Sequence, residues 1–151
     1  MYKNLTLDHQ LCFAIYSASN FVIRQYQREL KKFGITYLQY LILLVLWERP
    51  DVPLNFLAKR LKQDPGSLSP ILKRMQNAGL ILKVRKESDE RSITIRPTKK
   101  AKELMPEISK VQNSVSCSTG LTEEEYAMLR NAALGLTLKL EKNSNANKKV
   151  A

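Results

Sequence analysis

Residues Leu54 to Arg96 read LNFLAKRLKQDPGSLSPILKRMQNAGLILKVRKESDERSITIR, and this stretch decides the fold. Its first half predicts two short helices, Leu54–Leu61 and about Ser67–Asn77, which are joined by a tight turn containing Gly66. With Ser67 as the N-cap, Pro70 would lie in the first helical turn, where a missing N–H costs no hydrogen bond. The pattern is typical of a helix-turn-helix.

A basic β-hairpin is predicted directly after the two helices. Leu80–Val84 is rich in strand-forming residues, and Ser92–Arg96 alternates strictly between polar and apolar side chains. Arg85–Arg91 between them is polar and predicts the turn. A helix-turn-helix followed by such a hairpin indicates a winged helix, so we expect a mainly α fold with a small β-hairpin.

Positive charge is concentrated in the same segment. Between Asn55 and Lys100 there are 12 Lys and Arg against 4 Asp and Glu, so 12 − 4 = +8 of the chain's formal net charge of +11 lies there. A balance of this kind predicts a polyanionic partner, and double-stranded DNA fits a winged helix best. A basic face that is merely solvated remains an alternative. An anionic membrane is disfavoured, because there is no long basic amphipathic helix.

The predicted DNA contacts divide by role. The second helix fits the major groove with its N-terminal side chains at base edges. The hairpin would hold phosphates, and a tip arginine suits a narrow minor groove. The predicted contact residues are Ser67 and Ser69 at base edges, Lys73 and Arg74 at bases or phosphates, Arg85 and Lys86 at phosphates, and Arg91 at the minor groove.

Amphipathic helices flank the winged helix. Asp8–Phe33 carries apolar residues at steps of three and four, and Tyr37–Glu48 is apolar on nearly every side, as in a buried helix. One more helix is predicted from Pro97-Thr98 to about Val115, and a last one over about Glu123–Leu140. Their apolar faces exceed what one winged helix can cover, which predicts a homodimer. We therefore expect a single domain over 1–142, with dimerisation helices at about 5–33 and 98–142, a winged helix at about 50–97 and a polar tail at 143–151.

Length and composition exclude several classes of protein. The chain has 151 residues, of which 44% are hydrophobic, enough for one folded domain. No apolar run approaches the roughly 20 residues of a membrane span, and the N-terminus does not resemble a secretory signal. We therefore expect a cytoplasmic protein with no membrane partner. Two cysteines and one histidine predict neither a disulfide framework nor a metal site, and no cofactor is expected.

Cys12 has two interpretations on its residues alone. A lone cysteine among apolar helix residues is usually a small buried hydrophobe. The phenols of Tyr16, Tyr26, Tyr37 and Tyr40 could donate hydrogen bonds to a thiolate and favour it, although core packing explains tyrosines equally well.

The stretch Ala58–Ile95 resembles the winged helix of the MarR family of transcription regulators. The residues that carry the resemblance are Leu68-Ser69-Pro70-Ile71-Leu72-Lys73-Arg74-Met75, Gly79-Leu80-Ile81 and Asp89-Glu90-Arg91-Ser92. The resemblance implies that Arg91 enters the minor groove, that Asp89 holds the wing in shape, and that a dimer binds a pseudo-palindromic operator.

A second group of residues is similar to the organic-hydroperoxide (OhrR-type) regulators within that family. These residues are Gln10-Leu11-Cys12-Phe13, Tyr26, Ile35-Thr36-Tyr37-Leu38-Gln39-Tyr40-Leu41 and Leu46-Trp47-Glu48. The resemblance implies that peroxide oxidises Cys12 while Tyr26 and Tyr37 from the partner subunit hydrogen-bond it. A two-cysteine branch of the subgroup further implies an intersubunit disulfide between Cys12 and Cys117. Otherwise Cys117 is an incidental surface thiol, and a small cellular thiol would cap the oxidised Cys12.

The sequence therefore predicts a DNA-binding repressor that releases its operator when an organic hydroperoxide oxidises Cys12. An alternative is a MarR-type regulator that responds to a small phenolic or aromatic ligand. A thiol peroxidase is disfavoured, because there is no redoxin-like βαβ pattern and no Cys-x-x-Cys motif. We expect no enzyme activity.

Overall fold

The computed structural model describes the backbone of residues 2–86 and 89–148, and within these ranges all side chains except those of residues 3, 85, 86, 89–92 and 145–148. Short 3-10 turns precede and follow the first helix. The elements are α1 (Leu11–Leu30), α2 (Tyr37–Glu48), β1 (Val52–Pro53), α3 (Leu54–Leu61), α4 (Pro65–Asn77), β2 (Ile81–Lys86), β3 (Asp89–Pro97), α5 (Lys99–Glu103), α6 (Met105–Ser118) and α7 (Glu123–Lys148). The predicted fold class, mainly α with a small antiparallel sheet, is confirmed.

The chain forms two compact units, Met1–Val115 and Ser116–Ala151. The core of the first unit is built around α2, as the all-round apolar sequence predicted, and Ile42, Leu43 and Leu46 are fully buried there. The helix begins where expected. The N–H of Gln39 donates to Thr36 Oγ1 (3.4 Å), and the N–H of Thr36 donates to Gln39 Oε1 (2.8 Å), which completes a capping box.

The winged helix and the two helices after it contribute most of the rest of that core. Their buried side chains come from every element from β1 to α6, so that each helix and strand has one buried face. The buried residues are Val52, Leu57, Ala58, Leu68, Leu72, Met75, Leu80, Ile81, Ile95, Ala101, Ile108, Val111 and Val115.

The sheet has three strands rather than the predicted two, in the order β1-β3-β2. In β1, Val52 pairs with Ile95 and Pro53 with Thr94, both antiparallel. β1 has only two residues, one of them a proline, so it carries no strand signal in the sequence. Val52 is in β1 because its side chain, 1% exposed, completes the core.

The hairpin strands extend further than predicted. We expected Arg85–Arg91 to form the turn, with Arg91 at its tip. In the structure the backbone of Arg85 and Lys86 belongs to β2, and that of Asp89 and Arg91 belongs to β3. The ladder continues, with a shift of register after Arg85, because backbone pairing in an antiparallel ribbon tolerates charged side chains. Residues 87 and 88 lie outside the described residues.

The start of α4 was also predicted wrongly. The helix begins at Pro65, and Asp64 rather than Ser67 is its N-cap, since Asp64 Oδ2 accepts from the N–H of Ser67 at 3.1 Å. Proline at the first helical position after a capping aspartate is a favoured start. A Cβ on Gly66 would lie 2.7 Å from Asp64 Oδ2, so a larger residue there would displace the capping carboxylate.

Pro70 therefore lies inside α4 instead of in its first turn. Proline has no N–H to donate to the carbonyl four residues earlier, which here belongs to Gly66. Both residues are exposed, so water can serve the Gly66 carbonyl and the helix continues.

Two C-terminal helices also differ from the prediction. The single helix expected up to Val115 is broken at Leu104 into α5 and α6, because Pro106 cannot donate to the carbonyl of Lys102. The last helix, α7, continues to Lys148, into the segment we predicted as a polar tail, although that segment is rich in Asn and Ser, which are weaker helix formers than Ala and Lys. A capping box lies at its start. Thr122 Oγ1 accepts from the N–H of Glu125 (3.2 Å), and Glu125 Oε2 accepts from the N–H of Thr122 (2.9 Å).

Among the described residues, no single helix is both long and apolar enough to cross a membrane. The pair Leu11–Phe33 and Tyr37–Glu48 meets those criteria together, on length and composition alone and across a bend of 78°.

The capping role of Asp64 is testable by stability. We expect Asp64→Ala to lower the free energy of unfolding by about 1 kcal/mol, because the first-turn N–H groups of α4 lose their acceptor. Ser67→Ala is the matched control and should change it by only a few tenths of that amount. Urea denaturation of both variants measures the difference. Equal losses would show that Asp64 does not cap the helix.

Candidate nucleic-acid interface and cysteine site

One face of α4 is sealed in the core. Leu68, Leu72 and Met75 are at most 1% exposed, and their spacing of four and three residues places them on one side of the helix. The opposite side is solvent-facing. The four residues predicted on α4 to contact DNA, Ser67, Ser69, Lys73 and Arg74, are all exposed.

The turn before α4 is tightly hydrogen-bonded. Lys62 ends α3 in the left-handed conformation (φ +55°), and the N–H of Gln63 donates to the carbonyl of Ala58 at 3.0 Å. The chain then enters α4 through the Asp64 cap. The angle between the two helices is therefore set by backbone bonds rather than by side-chain packing alone.

The C-terminus of α4 is closed by a Schellman motif. The N–H of Leu80 donates to the carbonyl of Met75 (2.9 Å), and the N–H of Gly79 donates to that of Gln76 (3.0 Å). Gly79 has φ +70°, a conformation that glycine adopts without penalty. Leu80, 4% exposed, then leads directly into β2.

Residues at the start of α5 reinforce this end of α4. Thr98 Oγ1 donates to the carbonyl of Gly79 (2.7 Å) and accepts from the N–H of Ala101 (3.2 Å), so one hydroxyl serves α4 and α5 together. Lys100 Nζ donates to the carbonyl of Ala78 (2.9 Å). A displacement of α5 would therefore also shift the C-terminal end of α4.

The exposed side of α4 carries unneutralised charge. Lys73 and Arg74 form no ion pair with any residue that the structure describes, whereas Arg60 lies 3.4 Å from Glu48. Ser69 Oγ donates to the carbonyl of Pro65 at 3.1 Å. Two cations and two hydroxyls thus lie on the exposed side of a helix held at both ends, which is compatible with the predicted contacts in the major groove.

Arg96 is one of the 12 Lys and Arg residues in the basic segment, and it forms an ion pair at the base of the hairpin. Its Nε and Nη2 lie 2.6 and 3.0 Å from the two carboxylate oxygens of Asp51. The hydrogen bond and the charge of Asp51 raise the pKa of Arg96 above its ordinary value. The charge of Arg96 is therefore permanent but balanced, and the residue contributes less to the positive field than the count implies.

The remaining predicted DNA contacts are on the hairpin. The backbone positions of Arg85, Lys86 and Arg91, and of the predicted wing-shaping Asp89, lie in β2 and β3. Their side chains lie outside the described residues, so their roles stay predictions.

Cys12 is an exposed residue in the first turn of α1, not a buried hydrophobe. Tyr26 and Tyr37 are together elsewhere in the first unit, with Tyr40, in a ring cluster whose centroids are 5.2 to 5.9 Å apart. Cys12 and Tyr26 are 26 − 12 = 14 residues apart on one straight helix, or about 21 Å by helical rise. Tyr26 therefore cannot reach Cys12 of its own chain.

Cys117 is exposed near the end of α6. It belongs to the second compact unit, Ser116–Ala151, whereas Cys12 belongs to the first. Its predicted role as the resolving cysteine stays a prediction.

Each unit exposes an apolar face. In the first unit, α1 is buried only from Val22 onward, while Leu11, Ile15 and Phe21 are 64%, 44% and 67% exposed. Leu5, Leu7, Phe13 and Tyr16 are exposed as well. The second unit exposes Met128, Leu129, Leu134, Leu138 and Leu140. Large apolar patches that are exposed on a monomer usually mark an interaction site, so α1 and α7 are the candidate elements.

The winged helix, with α2 before it and α5 after it, is what a known family of regulators shares with this chain. Residues 24–108 match the model of "Transcriptional regulator SarA/Rot". The chain belongs to the SarA/Rot family. The matched range contains α2 to α5 and both predicted DNA-contacting elements, and it contains neither Cys12 nor Cys117.

Individual relatives extend the SarA/Rot assignment over most of the chain. The chain is 37% identical to the HTH-type transcriptional regulator MgrA of Staphylococcus aureus over 130 residues, 85% of this chain and 88% of MgrA. It is similar to the reduced AbfR bound to DNA, with a TM-score of 0.74 and 33% identity over 90% of this chain and 93% of that one. It is also similar to the disulfide-formed AbfR, with a TM-score of 0.64 and 32% identity over 90% of each chain. AbfR is a protein of Staphylococcus epidermidis.

As a SarA/Rot member with a winged helix, the chain is a DNA-binding transcription regulator. Its relatives are regulators rather than enzymes, which argues against the thiol peroxidase alternative. The finer assignment to organic-hydroperoxide regulators rests on the sequence resemblance.

Several residues that shape this site were missed by sequence reasoning. Asp64 could have been found, since an Asp-Pro pair before a helix is a strong start signal. The contacts of Thr98 and Lys100 with Gly79 and Ala78 join residues about 20 positions apart and leave no local pattern. The same holds for Asp51 and Arg96.

Lys73 provides a test of the α4 surface. We expect Lys73→Ala to weaken DNA binding by several-fold and to reduce the slope of log affinity against log salt by about 1, because one phosphate or base contact would be lost. Lys31→Ala is the control, since it removes an exposed positive charge just after α1, outside the winged helix. Fluorescence anisotropy across a salt series measures both. An equal effect of the two variants would mean that α4 acts only through net charge.

Proposed function

We propose that the protein is a homodimeric repressor of the SarA/Rot family that senses organic hydroperoxides through oxidation of Cys12 and then releases a double-stranded DNA operator. The observation that carries this proposal is the exposure of Cys12 at the start of α1, beside apolar side chains left uncovered. A cytoplasmic location stays a prediction of the sequence.

DNA binding would centre on α4. Its exposed side would enter the major groove with Ser67 and Ser69 at base edges, and with Lys73 and Arg74 at bases or phosphates. On the hairpin, Arg85 and Lys86 would hold phosphates and Arg91 would enter the minor groove. Two such modules related by a two-fold axis would require half-sites about 34 Å apart, and hence a pseudo-palindromic operator.

A second copy of the chain is the proposed cover for the exposed apolar surface. Leu11 and Ile15 are each more than 40% exposed, although they lie on the same side of α1 as Tyr26 and Leu30, which are buried, and Val22, which packs against the core. A helix whose stripe is half covered in the monomer is completed by an identical helix, because a two-fold contact uses the same surface twice.

The same contact would bring the thiol to the phenols. If two α1 helices cross antiparallel near residue 19, midway between Cys12 and Tyr26, each Cys12 approaches Tyr26 of the partner subunit. Tyr37, which contacts Tyr26 at 5.3 Å between centroids, would follow. Phenol O–H groups that donate to the Cys12 sulfur would stabilise the thiolate over the thiol. This arrangement supplies a reason for activation that the single chain lacks.

The proposed chemistry consumes one hydroperoxide. The Cys12 thiolate attacks the distal oxygen of the hydroperoxide, the O–O bond breaks, and the alkoxide leaves as the alcohol after taking a proton. Cys12 is then a sulfenic acid. The thiolate of Cys117 from the partner subunit attacks the sulfenic sulfur, hydroxide leaves and takes up a proton from the solvent to become water, and a disulfide forms. AbfR, at 32% identity, has a solved disulfide-formed structure, and this state of a relative supports a disulfide here.

The dimer is tested by mass in solution. At micromolar concentration we expect sedimentation of a species of 2 × 17.3 = 34.6 kDa, because the exposed apolar surface would be covered by a second copy. Ile15→Glu should shift the population toward 17.3 kDa, since a charge would be buried without a partner. A parent protein that sediments only as the monomer would contradict the proposal.

The sensor is tested by DNA release. One equivalent of cumene hydroperoxide should release DNA from the parent, whereas Cys12→Ser should stay bound, because serine is nearly isosteric but cannot form a sulfenic acid. Tyr26→Phe and Tyr37→Phe should slow the release, since each removes one donor to the thiolate. Anisotropy with and without dithiothreitol measures these responses.

Cys117→Ser separates the two versions of the mechanism. Non-reducing electrophoresis of the oxidised parent should show a linked dimer that is lost in Cys117→Ser. Release without linkage would make Cys117 incidental. Normal release of Cys12→Ser by peroxide would overturn the sensor proposal, and release by a phenolic ligand would then favour the alternative regulator.

A further inference from the structure

The base of the hairpin contains an ion pair with fork geometry. Arg96 lies on the central strand β3, one residue beyond Ile95, and Asp51 lies one residue before Val52, the partner of Ile95 on β1. The two carboxylate oxygens of Asp51 accept from Nε and Nη2 of Arg96 at 2.6 and 3.0 Å. Both hydrogen bonds of a side-on guanidinium–carboxylate pair are therefore present.

The strand that this pair extends is short of backbone hydrogen bonds. β1 has only two residues, and the second, Pro53, has no N–H to donate to β3. Val52 alone anchors the strand in the core. The bidentate pair adds two directional bonds at the point where the backbone ladder ends, so it fixes the position of β3 relative to the loop after α2.

The backbone of Asp51 is itself in an unusual conformation. Its φ is +63°, in the left-handed region that few residues other than glycine adopt, although Asp and Asn do so more readily than most. A glycine would take this conformation more easily but would offer no carboxylate. The side chain therefore gives a reason for aspartate at a position where the backbone alone favours glycine.

We propose that Asp51 and Arg96 are positioning residues for DNA binding: their ion pair fixes the base of the hairpin, so that the wing reaches DNA at one preset orientation while α4 is in the groove. The inference rests on the proposed DNA-binding mode and adds to it the residues that orient the wing without touching DNA. The pair is about half exposed, with side-chain exposures of 49% for Arg96 and 38% for Asp51, so its contribution to global stability is small.

The charge of the pair makes the inference testable, because a positioning role changes specific and non-specific DNA affinity in opposite directions. Removing the carboxylate of Asp51 frees one positive charge on Arg96, and that charge should strengthen binding to any DNA. Loss of wing orientation should weaken only specific binding. A positioning role therefore predicts opposite effects on specific and non-specific DNA, whereas unfolding would weaken both.

The variants are chosen to separate charge from geometry. Asp51→Asn removes the charge but retains a side chain that tolerates the left-handed backbone. Arg96→Lys retains the charge but lacks the planar fork. Glu48→Gln is the control, because it removes one exposed carboxylate at the end of α2 that pairs with Arg60 at 3.4 Å rather than with the hairpin.

The probes are a duplex that the parent protein enriches from a random-sequence library and a scrambled duplex of the same composition. For Asp51→Asn and Arg96→Lys we expect affinity for the enriched duplex to fall by about fivefold or more, the lower end of the range for one good protein–DNA contact. Affinity for the scrambled duplex should rise slightly in Asp51→Asn and stay unchanged in Arg96→Lys. Glu48→Gln should shift both affinities together, and Tm should change little in all three.

Two results would overturn the inference. One is a ratio of specific to non-specific affinity in Arg96→Lys equal to that of the parent. The other comes from DNA-free protein, in which hydrogen exchange of the Val52 amide and of the β3 amides near Arg96 should be faster in both variants, so that unchanged exchange would show that the pair does not fix the hairpin. A parent protein that enriches no duplex would instead contradict the proposed function, and the exchange measurement would still judge the ion pair.

Discussion

The burial of Leu68, Leu72 and Met75 against the core is the constraint on which the rest of the structure depends. Three apolar residues on one side of α4 leave that helix a single way to face, and the polar residues between them must then point into solvent. Burial of each such side chain stabilises the fold by roughly 1.5 to 3 kcal/mol. A rotation of α4 that exposed all three would therefore lose more free energy than a new surface contact could supply. The positions of Lys73 and Arg74 on the exposed side of α4 thus follow from the burial of the opposite side.

A fixed face is useful only if the ends of the helix are also fixed. The Asp64 cap, the Schellman turn at Gly79 and the hydroxyl of Thr98 hold α4 at both termini through backbone atoms. The hairpin begins one residue after that turn, and Asp51 holds its opposite strand. Helix and hairpin are therefore linked to each other and to α5 by hydrogen bonds at the C-terminal end of α4.

Features encoded by neighbouring residues were predicted well from sequence. The bounds of α2 and α3 follow from residues within a few positions of one another, as do the hydrogen bonds of the capping box at Thr36. What failed depended on distant partners or on competing local signals. β1 exists because Val52 meets Ile95, 43 positions on, and Pro106 interrupts a helix whose periodicity continues across it. The redox site was predicted only by resemblance, because its proposed partners belong to a second copy and leave no pattern around Cys12.

In the proposed binding mode, the hydrogen bond from Ser69 Oγ to the carbonyl of Pro65 would also limit which bases α4 can distinguish. A hydroxyl has one proton, and while Ser69 donates it within the helix, only its lone pairs face outward. In the major groove the amino groups of adenine and cytosine donate, whereas guanine and thymine present carbonyl oxygens. A side chain restricted to accepting would discriminate against guanine and thymine at the base it meets, and it would do so without any charge.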